Sequence, residues 1–170
     1  MGLIPCVSFA YGLLFIIVSD TVKSWLFVTI QGILLVLLVF FTNATSSPPR
    51  TLKIIGNVVE LIGLVVLLIS FYDLRKSLTA LPLPKKHGVL QVRGLYKFVR
   101  HPMYVGVLVL SLGISIAGNS IAKFLILLAL FILFNLKARY EENLLVAKYL
   151  GYKEYMKATP RFVPKLYRGR

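Results

Sequence analysis

Arg100, His101 and Tyr104 fall within five residues, Arg100-His101-Pro102-Met103-Tyr104, where a charged stretch meets an apolar one. A guanidinium, an imidazole and a phenol at such a boundary must be satisfied by water, by one another or by a ligand, because hydrocarbon offers no hydrogen bonds. A polar small molecule could meet a lipidic one there. A second group follows at Asn135-Leu136-Lys137-Ala138-Arg139-Tyr140-Glu141-Glu142. If that stretch is helical, Asn135, Arg139 and Glu142 lie at i, i+4 and i+7 and form one polar stripe.

Two arginines, a histidine, a tyrosine and one or two glutamates suit a zwitterionic ligand. Arginine can fork onto a carboxylate, glutamate can take an ammonium or ribose hydroxyls, and aromatic rings can flank a purine or a sulfonium. S-adenosylmethionine carries all of these groups. The same residues also read as membrane furniture: Arg100 and Arg139 as basic anchors, Tyr104 in an aromatic belt, and Glu141 and Glu142 in i, i+3 or i, i+4 pairs with Lys137 and Arg139. Side-chain chemistry alone leaves both readings open.

The elements that must position these groups are apolar. The chain has 170 residues, 58% of them hydrophobic, and a mean hydropathy of +0.81. A soluble fold of that size would need an implausibly large core, whereas a bilayer supplies apolar surroundings directly. Five stretches read as helices: Leu3 to Ser19, Ser24 to Thr42, Ile54 to Tyr72, Met103 to Ala117 and Ser120 to Leu136. The expected fold is therefore an all-α integral membrane protein of five transmembrane helices. Only Gly118-Asn119 separates the last two, which read as a tight helical hairpin that brings Arg100, His101 and Tyr104 opposite Arg139 and Glu142. A short helical tail follows.

Charge placement gives the orientation. Of the 20 Lys and Arg residues, Arg75 to Arg100 and Lys137 to Arg170 hold all but four, and with five spans only Arg50, Lys53 and Lys123 lie outside. The loop and tail are thus expected on the cytoplasmic side. The organisation read from this is three N-terminal transmembrane helices (1–72), a basic cytoplasmic loop (73–102), and a helical hairpin with its tail (103–170). A net charge of +14 could point to nucleic acid. The basic residues flank apolar segments, however, so anionic lipid headgroups are the expected partner and nucleic acid is not. One cysteine, Cys6, and two histidines give no metal cluster, and no metal is expected. The first stretch lacks the flanks of a signal peptide, and Cys6 stands where a myristoylation signal wants Ser or Thr.

The motif Gly94-x-Tyr96-x-x-x-Arg100-His101-Pro102-x-Tyr104-x-Gly106 is followed by Glu141-Glu142, then by Tyr152-x-x-Tyr155 and Pro160-Arg161-Phe162-x-Pro164. Over roughly residues 87 to 164 it resembles the isoprenylcysteine carboxyl methyltransferase family and its phospholipid methyltransferase relatives. The resemblance implies a membrane methyltransferase without a Rossmann domain. It would bind S-adenosylmethionine on the cytoplasmic side, release S-adenosylhomocysteine, and admit a lipophilic or prenylated acceptor sideways from the membrane. His101, Tyr104 and Glu141 or Glu142 would hold the cofactor. Gly94, Tyr96 and Gly106 would lie against it, and His87 could cover it. Arg100 and Arg139 would orient an anionic acceptor, with Glu142 or Glu141 as base should the acceptor be an amine.

A methyl sulfonium is already electrophilic, so transfer needs alignment and desolvation more than acid-base machinery. A carboxylate acceptor is already ionised and would pair with arginine, which favours carboxylate over amino-headgroup methylation. Glu60, with Asn57 a turn earlier, is an intramembrane acid. Pairing with Gln31 or another helix is one reading; a channel or transporter built around Glu60 is the alternative from a different class. Tyr149, Tyr152, Tyr155 and Phe162, interleaved with lysines, read as an amphipathic tail on the membrane surface, able to double as a lid. Trp25 reads as an interface anchor.

Overall fold

Ser19-Asp20-Thr21-Val22-Lys23 is polar but contains neither glycine nor proline, so nothing in its backbone chemistry ends a helix. A computed structural model describes residues 4–41, 48–75 and 90–164, with side chains described from Asp20 onward. In it the first two apolar stretches form a single helix α1, Ile4–Phe40, of 37 residues. The break expected between Ser19 and Ser24 is absent. Ser24 lends its hydroxyl to the Asp20 carbonyl at 2.7 Å, so its polarity is spent inside the helix. A helix of that length runs about 55 Å, well beyond the ~30 Å of a bilayer core.

The remaining elements are α2 (Arg50–Leu74), a 3-10 turn (Gly94–Lys97), α3 (Pro102–Gly118), α4 (Ile121–Lys148) and α5 (Tyr152–Ala158), with no strand among the described residues. Three helical segments there are long and apolar enough to cross a membrane: Asp20–Phe40, Arg50–Leu74 and Ile121–Lys148. The apolar α3 is shorter, at 17 residues. Between α3 and α4 the chain turns at Asn119, which takes the left-handed conformation (φ 44°, ψ 45°) that asparagine tolerates better than most residues.

α2 and α3 make the closest packing in the fold. A methyl group added at Gly56 or Gly63 of α2 would strike the backbone of Ala117 or Leu110, and one added at Gly106 or Gly113 of α3 would strike that of Leu67 or Glu60. In each helix the two glycines are seven residues apart, so both lie on one face and the backbones touch along two turns. On its other side α3 packs against α4, and α4 against α1, around buried Leu38, Leu130 and Phe134. Trp25, Leu26, Ile54, Leu61, Leu125 and Leu128 face outward, as lipid-exposed side chains do.

Candidate active site

The segment that carries Arg100 and His101 is fixed from both ends. On the α2 side the Asp73 carboxylate accepts the Leu95 N–H at 3.0 Å. Gly94 must be glycine there: its φ is +60°, and a side chain would collide with that same carboxylate. On the other side His101 caps α3, with Pro102 at the first helical position, where its missing N–H costs nothing. The C-terminal segment then runs alongside: Arg100 N–H donates to Pro160 O at 2.9 Å and His101 N–H to Arg161 O at 3.2 Å.

Glu142 is the hub. It is 2% exposed and belongs to α4. Arg100 donates to it through Nε at 3.0 Å and sits at 2.9 Å through Nη2, His101 Nε2 lies 3.2 Å away, and Arg161 forks onto both oxygens. Three partners of this kind compensate a carboxylate that would otherwise be expensive to bury. The hydrogen bond to Glu142 in turn raises the Arg161 pKa. Arg100 also donates to Met156 O at 2.8 Å and Thr159 O at 2.6 Å. One guanidinium thus ties α3, α4 and the segment after α5 together.

Glu141 differs from its neighbour. It accepts the Tyr104 hydroxyl at 2.5 Å and lies 3.5 Å from His101 Nδ1, with 17% of its side chain exposed. The rings behind it form a stack: His101 on Tyr104 at 5.3 Å, Tyr104 on Phe134 at 4.6 Å, both within 3° of parallel, with Phe162 edge-on to His101 at 6.1 Å. Lys137 Nζ lies 5.2 Å from the Tyr104 ring centroid and donates to Gln31 Oε1 at 2.8 Å.

Tyr96, Tyr152 and Tyr155 form the floor beneath the C-terminal segment. Tyr152 is 2% exposed, and the Tyr155 hydroxyl donates to the Tyr96 carbonyl at 2.5 Å. Burial raises all three phenol pKa values, that of Tyr155 to about 12. These rings dock one face of the tail against the protein and leave Lys153, Glu154 and Lys157 exposed on the rest.

Of the residues singled out in the sequence, the structure gathers Arg100, His101, Tyr104, Glu141 and Glu142, with Tyr96 nearby. It separates others. Arg139 is exposed and has no hydrogen bond or ion pair among the described residues, because the buried side of α4 runs through Phe134, Lys137, Ala138 and Glu142. Asn135 donates to the Phe131 carbonyl of its own helix, so the expected Asn135, Arg139, Glu142 stripe does not form. Gly106 serves the α2–α3 contact and Gly94 its turn. His87 lies outside the described residues. Glu60 lies on α2 against Gly113, without a polar partner among the described residues; Gln31, its expected partner, is held by Lys137. Arg161, Lys137, Gln31 and Phe134 were not foreseen as site residues. No group of three or more His, Cys, Asp or Glu side chains among the described residues is arranged to hold a metal ion.

Residues 51–151 match the family described as phospholipid methyltransferase. Among curated proteins, the chain is 34% identical over 88 residues to the cobalt-zinc-cadmium resistance protein CzcN of Cupriavidus metallidurans, a match covering 50% of this chain and 41% of that protein. It is 35% identical over 82 residues to the protein-S-isoprenylcysteine O-methyltransferase of Schizosaccharomyces pombe, covering 46% of this chain and 34% of that protein. The matched part thus spans less than half the length of either relative. Arg161 and Gln31 both fall outside residues 51–151.

Proposed function

The chain belongs to the phospholipid methyltransferase family, a family of membrane methyltransferases, and from that membership we propose that it is an S-adenosylmethionine-dependent methyltransferase acting on the carboxylate of a lipophilic, prenylcysteine-like acceptor. The observation that carries the cofactor assignment is the contrast between the paired glutamates. Glu142 is saturated by Arg100, His101 and Arg161, whereas Glu141 is partly open and receives only the Tyr104 hydroxyl and the edge of His101. Glu141 is therefore the carboxylate with capacity for an ammonium or a ribose hydroxyl. The residues present fit the group: a carboxylate, an imidazole and stacked aromatic rings stand together.

When bound, the cofactor supplies an electrophilic methyl group on a sulfonium. The protein's part is to bind, orient and exclude water. His101 and Tyr104 orient Glu141. Arg100 has no free fork for a substrate, since it is spent on Glu142 and two carbonyls. Its role in this reading is to clamp the C-terminal segment over the site, and Arg139 is left without one. Residues 73–102 and 103–170 together form the cofactor-binding region, on the cytoplasmic face that the basic residues favour. The apolar helices, 1–72 included, keep water out and admit a greasy tail.

The family's description favours a second acceptor class, the amino headgroup of a phospholipid. Such an acceptor must lose a proton, and Glu141 would have to take it. Methyl transfer from labelled S-adenosylmethionine to an S-prenylated cysteine carboxylate, run beside phosphatidylethanolamine vesicles, tests the choice. Labelled ester supports the proposal; label only in the aminolipid replaces it with the second.

A further inference from the structure

Lys137 is an ammonium where none is cheap. Its residue is 7% exposed, on a stretch of α4 whose other buried members are Leu130, Leu133, Phe134 and Ala138. It stands one helical turn before Glu141, deeper into the apolar part of the helix. An ammonium offers three N–H groups, and among the described residues only the Gln31 side chain accepts one of them. The Tyr104 ring at 5.2 Å adds a weak cation–π attraction. A charge so placed is costly unless it is paired, and ionisable side chains held at membrane depth mark functional positions.

Neither neighbouring carboxylate closes an ion pair with it. Glu142 is taken by Arg100 and Arg161, while Glu141, bonded to the Tyr104 hydroxyl and near His101, attracts Lys137 only across a distance. Both arginines are spent on Glu142, and Lys137 is left with Gln31 as its one hydrogen-bond acceptor among the described residues, so its remaining N–H groups can take an anion.

We infer that Lys137, oriented by Gln31, is the residue that anchors the anionic head of the acceptor. The inference rests on the methyltransferase reading of this site and names a part of it that no motif residue supplies. An acceptor sliding in from the bilayer brings its apolar tail between hydrocarbon chains and its carboxylate to the level of Lys137, below the headgroup layer. There the carboxylate has lost water and needs a counter-charge, and the ammonium needs an anion. Glu141 accepts the Tyr104 hydroxyl and Lys137 lies near the ring of that same tyrosine, so an anion held by Lys137 is set beside the cofactor subsite. A protonated amino headgroup at the same place would be repelled, so one side chain both attracts one class of acceptor and rejects the other. Gln31 belongs to α1, outside the residues that match the family, so the anchor joins a helix inside that match to one outside it.

The test uses the full-length protein in detergent, with N-acetyl-S-farnesylcysteine as carboxylate probe, its methyl ester as uncharged control, and S-adenosylhomocysteine binding measured alongside by calorimetry. Removing a charged hydrogen-bond donor should weaken carboxylate binding by about tenfold or more in Lys137→Met. Methyl ester binding, S-adenosylhomocysteine affinity and Tm should stay near wild type, Gln31→Leu should fall between, and Lys137→Arg should restore most of the carboxylate affinity. Carboxylate affinity within twofold of wild type in Lys137→Met overturns the inference. So does a parallel fall in acid and ester binding together with Tm, which would make Lys137 a structural pin between α1 and α4. A folded wild type that binds no S-adenosylhomocysteine refutes the methyltransferase reading beneath it, an outcome distinct from either.

Discussion

Arg100 and Glu142 are 42 residues apart in sequence and meet at 2.9 Å, one at the threshold of α3 and the other near the end of α4. The pair joins α3 and α4 at the ends opposite the turn at Asn119. Because Arg161 and His101 converge on the same carboxylate, removing its charge strands three partners at once. Glu142→Gln is expected to destabilise the fold by about 3–5 kcal/mol, the cost of breaking a buried ion pair from one side. Thermal unfolding in detergent would show it as a large drop in Tm; a drop within the scatter of surface variants would contradict the account.

Arg100→Lys should fail although the charge survives. A lysine cannot reach Glu142, Met156 O and Thr159 O together, as the planar fork does. Arg139→Ala should leave methyl transfer within about twofold, as expected of an exposed residue remote from special contacts. Initial rates for the two variants, measured side by side, would settle the roles: a dead Arg139→Ala enzyme would restore Arg139 to the site.

Glycine substitutions separate packing from composition. Gly63→Ala places a methyl group on the Leu110 backbone and should cost about 1–3 kcal/mol through forced separation of α2 and α3. Gly32→Ala meets nothing within 4 Å and should be neutral or slightly stabilising in a helix. Equal Tm values for the two variants would disprove the close packing.

Alkaline stability should report on Tyr155. Its folded-state pKa is raised from 10.0 to about 12, chiefly by burial, so folding favours the protonated phenol. The stabilisation is complete below about pH 10 and is lost as the pH climbs towards 12. Tyr155→Phe should make the decline shallower, without abolishing it, because Tyr96 and Tyr152 are raised in the same direction. An identical slope in the variant would show that Tyr155 ionises no differently once folded.

The sequence was most readable where chemistry is local. Arg100, His101 and Tyr104 announce themselves by type and spacing, and the paired glutamates by their place at the end of an apolar run. Contacts between distant segments left no such sign. Arg161 looks like one more basic residue in a basic tail, and its fork onto Glu142 exists only once the tail folds back along His101. Gln31 and Lys137 lie 106 residues apart, on helices that nothing local pairs. Arg139 misled because i, i+4, i+7 spacing fixes a face without saying which way it points. Ala138, about 100° away around the helix, is the one that turns inward. Asp20 and Lys23 looked like the boundary between two spans, yet polarity alone does not end a helix. The glycines of α2 and α3 stand seven residues apart in each helix, and only the packed helices show that the two pairs face each other.

The central claim is that His101, Tyr104 and Glu141 form a cofactor site. Calorimetry of S-adenosylhomocysteine binding to the detergent-purified protein, with Glu141→Ala and His101→Ala in parallel, tests it most directly. The account predicts micromolar binding by the wild type that both variants lose while remaining folded. A folded wild type that binds none, or variants that bind as the wild type does, would contradict it.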